Sequence, residues 1–162
     1  MSVPDPRDPL GFTAQAMLCD SAVSVEGKLY VQGGGWNVLT AGVMPFTAPR
    51  IGMAVLVEIP YGATRSRHQM SVELADEDGT ALPLGPVTAS GRTGHLSLSF
   101  EAGRPEDLPP GEVQLLPFAL NIDGYVFARP GGYAFVVAVD GQELTRLRFR
   151  VRLRPPPAPR PV

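Results

Sequence analysis

The chain has 162 residues and a formal net charge of only -2, a size at which about two thirds of the unfolded surface is buried without disulfide or metal staples. Its one cysteine, Cys19, excludes an internal disulfide, so a reducing cytoplasm is the expected location. The best apolar run, Ile51 to Ile59, is half the roughly 18 residues of a membrane span, and Met1 to Asp8 carries Pro4, Asp5, Pro6 and Asp8 where a signal peptide is basic and then apolar; neither membrane insertion nor export is expected.

Glycine and proline number 18 each and recur at short intervals, which predicts many turns and few helices. Residues 1 to 11 show no periodicity and read as a disordered lead-in. A first strand is expected from Thr13 to Asp20. Val23 to Val25 and Leu29 to Gln32 flank the Glu26-Gly27-Lys28 turn of a hairpin, after which Gly33-Gly34-Gly35 permits a bulge before the only tryptophan, Trp36. Ile51 to Ile59 reads as a buried strand stopped by Pro60. Met70 to Leu74 alternates and enters the Asp76-Glu77-Asp78-Gly79 turn, followed by a short strand, Thr80 to Leu84.

His95 to Phe100 alternates again, with Leu96, Leu98 and Phe100 facing inward. Gly103 to Pro110 is a proline-rich crossing, and Glu112 to Ile122 is a strand that Pro117 demotes to an edge or bulged position. Tyr133 to Val139 then reads as a core strand joined by the Asp140-Gly141 hairpin loop to Arg146-Leu147-Arg148-Phe149-Arg150-Val151-Arg152-Leu153-Arg154. That last segment has a strict period of two, with an apolar face of Leu147, Phe149, Val151 and Leu153 and a cationic face of five arginines. Five prolines within 155 to 161 predict an extended proline-rich tail over 155 to 162. These segments predict an all-β domain over 12 to 154, an antiparallel sandwich of about nine or ten strands with Greek-key, immunoglobulin-like architecture. No internal repeat and no Cys-Trp-Cys core accompanies it.

Two blocks carry a resemblance: Ala16 to Ala22 with Gly27-Lys28-Leu29-Tyr30-Val31-Gln32-Gly33-Gly34-Gly35-Trp36, and Phe127 to Gly132 with Tyr133, Val139-Asp140-Gly141 and Phe149. They resemble an uncharacterised bacterial family of small β-rich proteins of unknown function. The resemblance implies a compact intracellular β domain and assigns no catalytic residue.

Arg146, Arg148, Arg150, Arg152 and Arg154, about 6.6 Å apart along one strand face, are long enough together to follow an acidic partner or a phosphate backbone. The residues before Arg146 hold 16 acids against 8 bases, so pairing with cross-strand carboxylates is the expected state of the row. Trp36 beside its glycines is either a ligand platform or core packing with its N–H satisfied. His68, in a polar loop beside Arg65 and Arg67, and His95 belong to no zinc spacing, and Asp76, Glu77 and Asp78 read as a solvated hairpin tip. No phosphate-binding loop, metal site or cofactor is expected. The sequence therefore predicts a non-enzymatic cytoplasmic interaction or assembly module that binds a protein partner or itself, with nucleic acid disfavoured; the alternative is an anion-binding protein using the five arginines, with Trp36 in its pocket.

Overall fold

A computed structural model describes residues 11–159. The expected lead-in lies outside the described residues except for Gly11, and so do the last three residues of the tail; residues 155–159 are exposed and without regular structure. The strands are β1 (Thr13–Cys19), β2 (Ser21–Val25), β3 (Lys28–Gln32), β4 (Val38–Ala41), β5 (Phe46–Ile59), β6 (Arg67–Asp76), β7 (Ala81–Leu82), β8 (Val87–Thr88), β9 (Gly91–Arg92), β10 (Leu96–Glu101), β11 (Gln114–Phe127), β12 (Gly131–Val139) and β13 (Gln142–Leu153). Among the described residues one 3-10 turn, Tyr61–Ala63, is the sole helical element, and no helix is long and apolar enough to cross a membrane.

The protein is all-β and built from several sheets. One has the order β1-β5-β11; another has the order β10-β6-β12-β13-β4, with β7 added to β6. Both contribute to one core, because their strands alternate. Ile51, Met53, Val55, Val57 and Ile59 of β5 face Met70, Val72 and Leu74 of β6 and the buried residues of β12. Pro117 is accommodated because β11 is an edge strand, where a missing N–H costs no ladder bond.

Two expectations need correcting. There are more strands than ten, the extra ones being pieces of two to four residues too short to show a period. And the pairing is not uniformly antiparallel, since β4 runs parallel to β13, with Arg150 opposite Val38 and Leu153 opposite Ala41. The Gly33–Gly35 run carries the chain from the side of β1 to that far edge. Gly35 N–H donates to Leu18 O at 2.8 Å, and a side chain at Gly33 would run into the Asp20 carboxylate.

The β2–β3 hairpin turns through Glu26 and Gly27, both at positive φ, and lies on the outer side of β5 and β11. There Cys19, Ala22 and Ala54 form a second small buried cluster. The Asn121 side chain clamps the hairpin by accepting from Ala22 N–H at 3.0 Å and donating to Ala22 O at 2.8 Å. At Gly52 a Cβ would stand 2.7 Å from Cys19 Sγ, so only glycine lets the layers meet.

The closing hairpin fixes the last strand. Asp140 and Gly141 take φ of 49° and 81°, and the two-residue turn pairs Val139 with Gln142. Val137 pairs with Thr145 but Ala138 with Glu143, so Leu144 is an inserted bulge residue. Beyond it Phe149 and Val151 are 4% and 1% exposed, while Leu153 at the strand end is 45% exposed. The Phe149 ring lies 5.3 Å from Phe135, 5.7 Å from Tyr133, 5.8 Å from Phe127 and 6.2 Å from Trp36, centroid to centroid. Phe149→Ala is expected to cost about 3 to 5 kcal/mol in urea unfolding; a loss below about 1 kcal/mol would place that ring outside the core.

Candidate functional site

Because β13 alternates, burying Phe149 and Val151 turns Arg146, Arg148, Arg150 and Arg152 to the opposite, solvent side. The cross-strand neighbours of Arg146, Arg148 and Arg150 on β12 are Val136, Ala134 and Gly132. The next strand, β6, opposes Val136 with Glu73 and Ala134 with Ala75. Long arginine side chains thus stand beside a floor of small residues, and an open groove of about 600 Å³ results. Its other wall is the turn from Asp76 to Gly79, and Asn37 and Val38 line it from the β4 side.

The expected neutralisation of this row by cross-strand carboxylates does not form. Its neighbours are too short and apolar to supply it. Among the described residues Arg146 alone of the row is in an ion pair, and its partner, Glu143, is on its own strand, with Arg146 Nε and Nη2 each 3.0 Å from a carboxylate oxygen. In a regular strand residues three apart face opposite ways; the Leu144 bulge is what brings these two to one side. Hydrogen bonding to Arg146 holds the Glu143 carboxyl below its ordinary value, with the Arg148 charge adding to the effect.

The acids across the groove are occupied by the chain's own donors. Asp76 Oδ1 accepts from the N–H of Asp78 at 3.0 Å and of Thr80 at 2.9 Å, and Glu77 Oε2 accepts from Gly132 N–H at 3.2 Å. Arg154 lies past the end of β13 and outside the groove lining; its N–H donates to Ala41 O. Trp36 belongs elsewhere as well, packed edge-on against Phe149 on the core side. Its indole N–H is buried without a partner among the described residues, so the expectation of a satisfied N–H fails.

A second polar cluster joins residues far apart in sequence. His68 Nδ1 is 2.7 Å from Asp140 Oδ2, and His68 Nε2 is 2.6 Å from Ala63 O and 3.0 Å from Ser66 Oγ. The order Ser66, His68, Asp140 imitates a nucleophile, base and orienting acid. The hydrogen bonds are wired otherwise. The Ala63 carbonyl and the Asp140 carboxylate only accept, so these contacts favour the doubly protonated ring, in which Nε2 has no lone pair for a Ser66 proton. Ser66 Oγ itself lies 3.0 Å from the same carbonyl. Burial opposes the charged ring, but bonds to Asp140 and to Ala63 O outweigh it and raise the His68 pKa above 6.5. Asp140 is held low by Gln69 N–H and then by His68. The sequence hid this cluster because its members are 72 residues apart; His95 is not part of it. Among the described residues no three His, Cys, Asp or Glu side chains are grouped to hold a metal ion.

The class is therefore an all-β protein with an arginine-walled surface groove. The chain belongs to DUF6941, a family of unknown function whose model matches residues 14–152, in agreement with the resemblance to an uncharacterised family. No curated protein matches it. Solved structures with similarity include the Pseudomonas fluorescens alkylpurine DNA glycosylase AlkC bound to DNA containing an abasic site analog, at 15% identity and a TM-score of 0.42, covering 87% of this chain and 30% of that one. The b-glucosidase EmGH1 from Erythrobacter marinus matches at 17% identity and a TM-score of 0.39, covering 87% of this chain and 15% of that one. The chain thus spans less than a third of the length of either.

A folded-state pKa above 6.5 means that the His68 contribution to stability is complete below pH 6.5 and is lost as pH rises through the folded value. The urea midpoint of the natural protein should exceed that of His68→Gln by more at about pH 5.5 than at about pH 8.5. A difference independent of pH would mean that the imidazolium is not what holds these loops.

Proposed function

We propose that this protein is a non-enzymatic, cytoplasmic binding module that recognises an anionic partner through the groove walled by Arg148, Arg150 and Arg152. The carrying observation is that these three guanidinium groups have no carboxylate at ion-pair distance among the described residues, while the nearby acids are engaged by backbone N–H groups. Cationic groups that share a rigid strand and lack an internal counter-charge favour an external one.

The platform is, in this reading, an immunoglobulin-like sandwich. Support comes from the connectivity. β1, β5 and β11 occupy the places of strands A, B and E, and β10, β6, β12 and β13 those of C′, C, F and G, with β4 as a second segment of the first strand laid against the last. Such domains bind through sheet faces and end loops on a stiff frame.

Replacing Arg148, Arg150 and Arg152 together by Ser tests the proposal. Binding of an acidic partner at physiological salt, followed by fluorescence anisotropy, should fall at least roughly tenfold in the triple variant, and the salt dependence of the remaining binding should flatten. Unchanged affinity in a folded variant would refute the groove as the binding surface. Self-association is the second reading, favoured by Val23, Val25 and Tyr30 on the outward side of the β2–β3 hairpin, all about half exposed. It predicts a mass in solution above that of one chain, and one that Tyr30→Lys returns to that of one chain.

A further inference from the structure

We infer that the groove takes an extended protein segment with carboxylates at alternate positions, laid along β12. This rests on the reading above and narrows it to one partner chemistry. In an extended chain alternate side chains repeat about every 6.6 Å, the spacing at which Arg148, Arg150 and Arg152 repeat along β13. Acids at positions i, i+2 and i+4 of the segment therefore meet the three arginines in register. Ala134 leaves room for its backbone, and at Gly132 the Glu77 carboxylate and the Arg150 guanidinium, 3.3 and 3.7 Å from where a Cβ would stand, flank it.

The opposite wall sets the other half of the specificity. It presents Asp76 and Glu77, which repel a ligand charged on both sides and accept one that is acidic along one side only. Nucleic acid is disfavoured because its bases would lack a stacking surface: the aromatic residues of the lining, Tyr133 and Phe149, turn their rings into the core.

Two labelled peptides of identical composition, one with three glutamates at alternate positions and one with them contiguous, are titrated by fluorescence anisotropy against the full chain. A single-stranded oligonucleotide of similar length is titrated alongside. The alternating peptide should bind roughly tenfold tighter than its isomer and tighter than the oligonucleotide. Ala134→Leu, which fills the floor without altering charge, should weaken it by a similar factor, and Ala134→Ser should not. Equal binding of the isomers, or indifference to Ala134→Leu in a folded variant, overturns the register while leaving anion recognition standing if the arginine triple variant still loses affinity. Preference for the oligonucleotide overturns the partner class. Absence of all binding overturns this inference and the proposed function together.

Discussion

The pairing of β12 with β13 is the constraint on which the rest depends. A slip of one residue would turn the arginine row inward and Phe149 outward, and charged groups buried without partners are far costlier than any single contact in the core. The register is held at one end by the Asp140-Gly141 turn, whose two positive φ values match the twist of the flanking strands. At the other end Phe149 sits among four aromatic rings. Between them the Leu144 bulge shifts the phase once.

That bulge separates one arginine from the others. By placing Glu143 and Arg146 on one face it neutralises the first cation of the row on its own strand, and the unpaired stretch begins at Arg148. Stability and the proposed recognition thus share β13 without sharing atoms: beyond the bulge Phe149 and Val151 fill the core, while Arg148, Arg150 and Arg152 meet solvent. Glu77 connects the two roles, since the carboxylate that satisfies Gly132 N–H also shapes the wall opposite the arginines. A site carried on paired strands is held more rigidly than one on loops, which suits recognition by spacing.

Much of this was legible in the chain. Period-two segments gave β6, β10 and β13 their faces, Asp140-Gly141 and Glu26-Gly27 marked the hairpins, and Pro117 marked an edge. What escaped was non-local. β4 has four residues and no period of its own, and its parallel pairing depends on where the glycine run delivers the chain. The bulge leaves no signature in composition. Excess acid upstream suggested neutralised arginines, but charge counts carry no register, and the residues that face the row are Val136, Ala134 and Gly132. The pairing of His68 with Asp140 is likewise a product of topology, as is the edge-on contact of Trp36 with Phe149.

The most direct test of the central claim follows the arginine side-chain Nε–H resonances of isotope-labelled protein while the alternating acidic peptide is added. The signals of Arg148, Arg150 and Arg152 should move together and saturate at one equivalent, with Arg146 moving least because Glu143 already holds it. Movement confined to the backbone amides of the β2–β3 hairpin, with the three arginine signals unchanged, would contradict it.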